Sequence, residues 1–279
     1  MNKDTNQIMA LLNAYKMDGL GNNFLIIDKR QNSFEIDGNK VINLSKKKDF
    51  SFDQLITLEK EVKNEYPIKI FNPDGIEVTA CGNGARCVAY LIFEEIKEKK
   101  ISIKTQERVL NAEIVGKQKV KINMGRPKLG WEEIPLSKSM DTKEVNIDLV
   151  EKKYGHGFCV NVGNPHIVFF VEDCSKVDIK TLGPKIENFK FFPERTNVTF
   201  AQILDKKNIR VNVWERGAGQ TKACGTAACA VGVAASMKNL ADKNLQIHFT
   251  EGNLQIDYTK EIFMTGSVSE VKKIKLEIE

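Results

Sequence analysis

Short runs of apolar residues bounded by polar turn residues mark out a strand-rich chain. Phe24-Leu25-Ile26-Ile27, Leu55-Ile56-Thr57-Leu58, Ile68-Lys69-Ile70-Phe71, Val120-Lys121-Ile122-Asn123-Met124 and Ile167-Val168-Phe169-Phe170-Val171 predict strands. Ile209-Arg210-Val211-Asn212-Val213-Trp214 and Leu254-Gln255-Ile256-Asp257-Tyr258 do the same. Most are short, rich in β-branched or aromatic residues, and flanked by Gly, Asn, Asp or Pro. Helical spacing is clearest over residues 82–97 and 225–238. Many strands with few helices predict an α+β fold rather than a regularly alternating α/β sheet.

The pattern repeats. Ala80-Cys81-Gly82-Asn83-Gly84-Ala85-Arg86-Cys87 returns as Ala223-Cys224-Gly225-Thr226-Ala227-Ala228-Cys229, 143 residues later. Gly21-Asn22 precedes one apolar strand and Gly163-Asn164 another, while Gln54 is answered by Asn197 and Asn72 by Glu215 at the same offset. An offset of 142 or 143 residues held over four landmarks implies two pseudo-symmetric homologous domains, related by duplication and a pseudo-twofold axis. The polar, Pro-bearing stretch 125–148 is the expected linker, which places the domains at 1–127 and 128–267. A last strand, 268–279, is expected to return to the first domain's sheet.

Size agrees with that division: 279 residues exceed one typical core and suit two of roughly 120 to 140. A 42% hydrophobic and 28% charged composition describes a globular chain, and no apolar run approaches the roughly 18 to 20 residues of a membrane span. The start of the chain has a short apolar patch, residues 8–12, but no basic n-region or cleavage site, so no secretory signal is expected. Six cysteines without such a signal point to a reducing compartment, the cytoplasm. The net charge of +5 is scattered, with Lys46-Lys47-Lys48 the longest lysine run. No basic stripe interleaved with aromatics is present, which excludes the usual nucleic-acid footprint.

Cys81 and Cys224 each stand immediately before a helix that opens on small residues. Unpaired backbone N–H groups and the positive end of the helix dipole gather there, which lowers a thiol's pKa and favours the reactive thiolate. Small residues also let a carboxylate approach those N–H groups. One such cysteine is explained by packing. Two in matching settings predict a pair of proton-transfer groups either side of a substrate α-carbon, one abstracting while the other donates, in a site that excludes water.

Cys81 to Cys87 and Cys224 to Cys229 are spaced by six and five residues, unlike zinc knuckles, and with three histidines in the chain no metal site is expected. Cys87, Cys229, Cys159 and Cys174 read as packing residues. Gly163-Asn164-Pro165-His166 sets a histidine beside a turn. Glu215-Arg216-Gly217-Ala218-Gly219 joins a carboxylate and a guanidinium to a glycine loop, a pair suited to the ammonium and carboxylate of an amino-acid end. Gly19 to Gly21 and Gly217 to Gly219 lack the third glycine of a dinucleotide site, and no Walker lysine motif occurs, so no cofactor is called for.

Taken together, Gly19-Leu20-Gly21-Asn22-Asn23-Phe24, Phe52-Asp53-Gln54, Phe71-Asn72-Pro73-Asp74-Gly75 and the first cysteine motif resemble the diaminopimelate epimerase family. The resemblance continues through Val162-Gly163-Asn164-Pro165-His166, Pro193-Glu194-Arg195-Thr196-Asn197 and residues 215–229, covering residues 16–230 in order. It implies interconversion of LL- and meso-2,6-diaminopimelate, a step of bacterial lysine and peptidoglycan precursor synthesis, by two bases and without pyridoxal phosphate. It also implies a homodimer, each chain holding two β-rich, barrel-like layers around a central helix.

By the same resemblance Cys81 and Cys224 are the catalytic pair, and His166 and Glu215 tune their pKa values. Substrate contacts fall to Asn22, Gln54, Asn72, Gly82, Asn83, Asn164, Asn197, Glu215, Arg216, Gly225 and Thr226. The sequence departs from the family's usual residues at Asp18, Asn23, Gln220 and Ala227. Two rivals stand beside this identification: a proline or hydroxyproline epimerase or an isomerase of the same superfamily, and a thiol redox or amino-acid-binding protein without turnover. Arg216 with Asn72 and Asn197 favours a substrate that has a second polar head.

Overall fold

The computed structural model describes residues 10–31, 34–79 and 81–278; Ala80, which opens the first cysteine motif, and residues 8 and 9 of the apolar patch lie outside the described residues. The chain forms two compact units. One runs to Val120 and takes in the chain again from Val268, and the other spans Lys121–Ser267.

In the first unit, strands Ala10–Asp18 and Asn23–Asp28 form an antiparallel pair that ends with Asp18 opposite Asn23. The turn between them places Leu20 and Gly21 at positive φ, 66° and 77°, and Asp18 Oδ1 accepts the Gly21 N–H at 3.0 Å. Helix α1 (Gly38–Ser45), capped by Asp37, lies on the crossover to Gln54–Leu58, which runs parallel to Asn23–Asp28 with Phe24 opposite Gln54. Glu65–Phe71 adds antiparallel to Gln54–Leu58, then Lys100–Lys104 adds parallel to it and Val109–Gly116 antiparallel at the end. Lys272–Ile278 pairs along Ala10–Lys16, so the end of the described chain completes the sheet in which the unit begins.

Helix α2 (Gly82–Ile96) is buried along its first eleven residues, Gly82 through Ile92. A helix covered on every side must sit inside its unit. Phe24 and Ile56 face it, since a Cβ on Gly84 would stand 3.2 Å and 2.7 Å from their side chains. The alternate residues Leu25, Ile27 and Leu55 join Leu12, Val41, Leu44 and Leu276 in a cluster on the other face. Both faces of these strands are therefore covered, and this explains their continuous apolar runs.

In the second unit, Phe158–Asn161 and Pro165–Phe170 are antiparallel around Gly163 (φ 120°). Helix α3 (Ile179–Glu187) precedes Asn197–Asp205, which runs parallel to Pro165–Phe170 with His166 opposite Asn197. Asn208–Glu215 pairs antiparallel to Asn197–Asp205, and the sheet continues through Asn244–Phe249, Gly252–Tyr258 and Ile262–Ser267. Helix α4 (Gly225–Met237), rich in Ala, Gly and Val, is buried along nearly all its length.

The stretch read from sequence as a linker is packed. Ile134, Leu136, Val145 and Ile147 join Ile167, Phe169, Ile186 and Phe200 in the second unit's core. Its apolar residues follow neither helical nor strand spacing, so periodicity does not reveal them.

The repeat survives in three dimensions within each unit taken separately. Phe24 faces Gln54 as His166 faces Asn197, and Leu55 faces Phe71 as Val198 faces Trp214. Each series ends in a cysteine-capped helix. The architecture is the two-domain α+β arrangement expected, mostly sheet with a few helices, and among the described residues the sheet is not closed into a barrel.

Candidate active site

Cys81 is the N-cap of α2, with extended backbone (φ −145°, ψ 110°), and its sulfur accepts the Gly84 N–H at 3.4 Å. The small residues after it have a packing reason as well as a chemical one. Gly84 meets Ile56 and Phe24, and a Cβ on Gly19 would stand 3.1 Å from the Asn83 carbonyl oxygen, so the Gly19-to-Asn22 turn lies directly on the start of α2. Gln54 opens its strand and Asn72 follows the end of another, and Gln54 Nε2 donates to Asn72 Oδ1 at 3.1 Å.

Three buried oxygens of this unit, Asn22 Oδ1, Gln54 Oε1 and Asn83 Oδ1, have no hydrogen-bond partner among the described residues. Leaving a buried acceptor unsatisfied costs about 1–3 kcal/mol, and native structures keep few of them. A set of amide acceptors from three segments suits a ligand that brings N–H donors, such as an ammonium group.

In the second unit Cys224 is the N-cap of α4, with φ −142° and ψ 115°. It is buried, and its sulfur lies 3.4 Å from Thr226 Oγ1. Here the structure differs from the lowered thiol pKa expected at a helix start. Burial, and then the Glu215 carboxylate beside it, push the Cys224 thiol well above its usual range, against the opposing pull of Thr226 and the Ala227 N–H. Burial likewise pushes the Glu215 carboxyl up. The desolvation of a charge outweighs the helix dipole at this site.

His166 is wholly buried. Burial first, and the Arg216 guanidinium second, lower its pKa to about 3, so the ring is neutral. Its Nε2 donates to Asn164 Oδ1 at 2.8 Å, while Nδ1 has no partner among the described residues. Asn197, expected to contact substrate, also has partners within the second unit. Its Nδ2 donates to the Pro165 carbonyl at 2.8 Å and its Oδ1 accepts the Arg216 N–H at 3.0 Å, so the amide ties two backbone segments together. The Arg216 guanidinium donates to the Glu194 carbonyl at 3.0 Å.

Thus Asn22, Gln54, Asn72, Gly82 and Asn83 belong to the first unit with Cys81, and Asn164, His166, Asn197, Glu215, Arg216, Gly225 and Thr226 to the second with Cys224. Cys87, Cys159 and Cys229 are fully buried, as packing residues are. The unusual residues have local partners: Asp18 closes the Gly21 turn, Asn23 donates to Asp53 through its backbone at 2.8 Å, and Gln220 donates to Asn212 at 3.0 Å. Ala227 is fully buried, and its backbone N–H acts to lower the Cys224 thiol's pKa. Sequence inspection missed Glu187, a buried carboxylate that receives the Trp214 indole N–H at 2.7 Å and the Gly217 N–H at 2.9 Å. It follows a Gly-Pro pair that conceals α3, and no local motif signals it. Among the described residues no group of three or more His, Cys, Asp or Glu is arranged to hold a metal ion, and no helix is long and apolar enough to cross a membrane.

Comparison with known proteins identifies the family. The family profile described as Diaminopimelate epimerase matches residues 14–130 and 158–271. The diaminopimelate epimerase of Pelagibacter ubique (strain HTCC1062) is 45% identical over 272 residues, 96% of this chain and 99% of that protein. The one from Wolbachia sp. subsp. Drosophila simulans (strain wRi) is 38% identical over 92% of this chain and 96% of its own length. Among solved structures, a predicted epimerase from Pseudomonas aeruginosa superposes with a TM-score of 0.68 at 14% identity, over 95% of this chain and 99% of that one. A probable proline racemase from Agrobacterium radiobacter K84 gives 0.66 at 13% identity, over 95% and 92%, and these two likenesses concern the fold alone. On the profile match and the identity to these relatives, the chain belongs to the diaminopimelate epimerase family.

Proposed function

We propose that this protein interconverts LL-2,6-diaminopimelate and meso-diaminopimelate, without a cofactor, using Cys81 and Cys224 as the two bases. The observation that carries this reading is the matched placement of the two thiols. Each is the N-cap of a buried helix, with backbone angles that agree within about five degrees. Family membership supplies the substrate.

In one direction the Cys81 thiolate removes the α-proton, breaking the C–H bond and leaving the electron pair on the α-carbon and its carboxylate. The Cys224 thiol then gives its proton to the opposite face, so that Cys81 ends as thiol and Cys224 as thiolate. The reverse direction exchanges the roles. The raised pKa of Cys224 suits its start as the proton donor. Backbone N–H groups at Gly82 and Asn83, and at Gly225 and Thr226, are the donors for the carboxylate as negative charge develops on it. The unpartnered amide oxygens of Asn22, Gln54 and Asn83 are acceptors for an ammonium group, and Arg216 is the partner for a carboxylate on the distal head. His166 stays neutral and adds no positive charge to the second unit's site residues.

We further infer a domain division at 1–127 with 268–279 and at 128–267, a homodimer, and a cytoplasmic location in a lysine and peptidoglycan precursor route. Six cysteines, with no disulfide bridge among the described residues, fit a reducing compartment. The decisive test is incubation of the reduced protein with LL-diaminopimelate in deuterium oxide, without added cofactor. Deuterium at the α-carbon together with the meso isomer is expected. Absence of both ends the epimerase reading, and near wild-type turnover by Cys81→Ala or Cys224→Ala ends the two-base assignment.

A further inference from the structure

The dipeptide Glu215-Arg216 sits at the end of a strand, where the chain enters a loop with Gly217 and Gly219 at φ 77° and 87°. A loop of that kind does not hold a carboxylate and a guanidinium in place by itself. Bonds on both sides of the dipeptide do so, and two of them end on one side chain. Glu187, the last residue of α3, is 5% exposed. It accepts the Trp214 indole N–H through Oε2 at 2.7 Å and the Gly217 backbone N–H through Oε1 at 2.9 Å. These donors belong to the residues immediately before and after Glu215-Arg216. The Arg195 guanidinium, 3.3 Å from Oε1, partners the same carboxylate.

Helix α3 is shaped for this contact. Gly183 lies one turn before Glu187, on the same helix face. A Cβ at Gly183 would stand 2.5 Å from Trp214 Cγ and Cδ2, so the indole rests on the helix where there is no side chain. Gly183 admits the ring and Glu187 takes its N–H. Arg216 N, bonded to Asn197 Oδ1, is the third fixed point of the loop.

We propose that Glu187 is the positioning residue for Arg216, and so governs how tightly the enzyme holds the distal amino-acid head of its substrate. This rests on the epimerase reading above. Arg216 would grip that head equally in ground state and transition state, so displacing it raises KM more than it lowers kcat. Gln at 187 keeps the size of the side chain but removes the charge, and turns an NH2 group toward one of two N–H donors.

The test compares the full-length wild type with Glu187→Gln and Trp214→Phe, which keeps a ring over Gly183 but removes the indole donor. With LL-diaminopimelate as substrate, Glu187→Gln is expected to unfold cooperatively, to shift the Trp214 indole N–H resonance, and to raise KM about tenfold, as loss of a charge-assisted bond would, with kcat changed less than about threefold. Trp214→Phe should raise KM in the same sense, which keeps the proposal testable if Glu187→Gln does not fold. A folded variant with the wild-type KM, or with kcat lost and KM unchanged, overturns the proposal. A wild type that does not epimerise removes the epimerase reading and this proposal with it, whereas an active wild type with unaffected variants removes this proposal alone.

Discussion

Gly232, midway along α4, lies so close to Ile256 that a Cβ at position 232 would stand 2.6 Å from Ile256 Cγ2 and 3.2 Å from Ile256 Cβ. The helix that begins at Cys224 is therefore seated against the strand Gly252–Tyr258 at a distance that only glycine permits. Ile256 is wholly buried and branched at Cβ, so its methyl has little room to turn away. Alanine at 232 gains up to about 1 kcal/mol of helix propensity, yet overpacking costs about 1–3 kcal/mol. Gly232→Ala should lower the urea midpoint, with turnover falling as α4 lifts. An unchanged or higher midpoint contradicts this packing.

His166 makes stability depend on acid. Its folded pKa is about 3, below the ordinary value of 6.5, so between those pH values the unfolded chain binds the extra proton. This contribution is complete above pH 6.5 and is lost as pH falls toward 3, at a slope of at most about 1.4 kcal/mol per pH unit. His166→Gln should flatten the pH dependence of the unfolding free energy across that window. The same steep decline in the variant would assign the acid sensitivity to other groups.

The cysteines should differ in reactivity. Cys81 is half-buried, whereas Cys224 is 5% exposed with its thiol pushed up by burial and by Glu215. Because the thiolate is the nucleophile, iodoacetamide at neutral pH should label Cys81 well before Cys224. Cys87 and Cys159, fully buried and also pushed up by burial, should react only on unfolding. Peptide mass spectrometry over a time course measures the order, and labelling of Cys224 first would assign the resting thiolate to the second unit.

What the sequence reveals of this protein follows from how local each signal is. The strands around Ile26, Ile56, Ile70, Val168 and Val211 are legible because their apolar runs are bounded by turn residues, and the α2 and α4 starts because a cysteine and small residues precede them. Helix α3 escapes notice because Gly183-Pro184 inside it reads as a turn. The packed stretch containing Ile134, Leu136, Val145 and Ile147 escapes because its apolar residues have no period. At the site, residue types suggest the thiols, the amides and the Glu215-Arg216 pair. They do not reveal that Cys224 is buried deeply enough to reverse the effect of its helix, or that Asn197 is occupied by backbone. The first depends on burial in the folded unit, and the second on partners 19 and 32 residues away along the chain.

Asn22 and Asn197 should therefore separate binding from stability, although family resemblance gives both as substrate contacts. Asn22 Oδ1 is buried without a partner among the described residues, so the folded protein loses no bond to that oxygen in Asn22→Ala. Its unfolding free energy should stay within about 0.5 kcal/mol of wild type, while KM for diaminopimelate rises about tenfold for want of an acceptor to the ammonium group. Asn197 is different, because its amide receives Arg216 N and donates to the Pro165 carbonyl deep in the second unit. Asn197→Ala leaves both groups unsatisfied, at about 1–3 kcal/mol each, and should lower the denaturation midpoint clearly. Part of any catalytic loss in that variant would then come from a loosened Arg216, and a double variant with Arg216→Ala should lose less than the two single variants combined. Equal stability of the Asn197 and Asn22 variants would mean that the Asn197 bonds contribute nothing net, and would return that residue to the substrate.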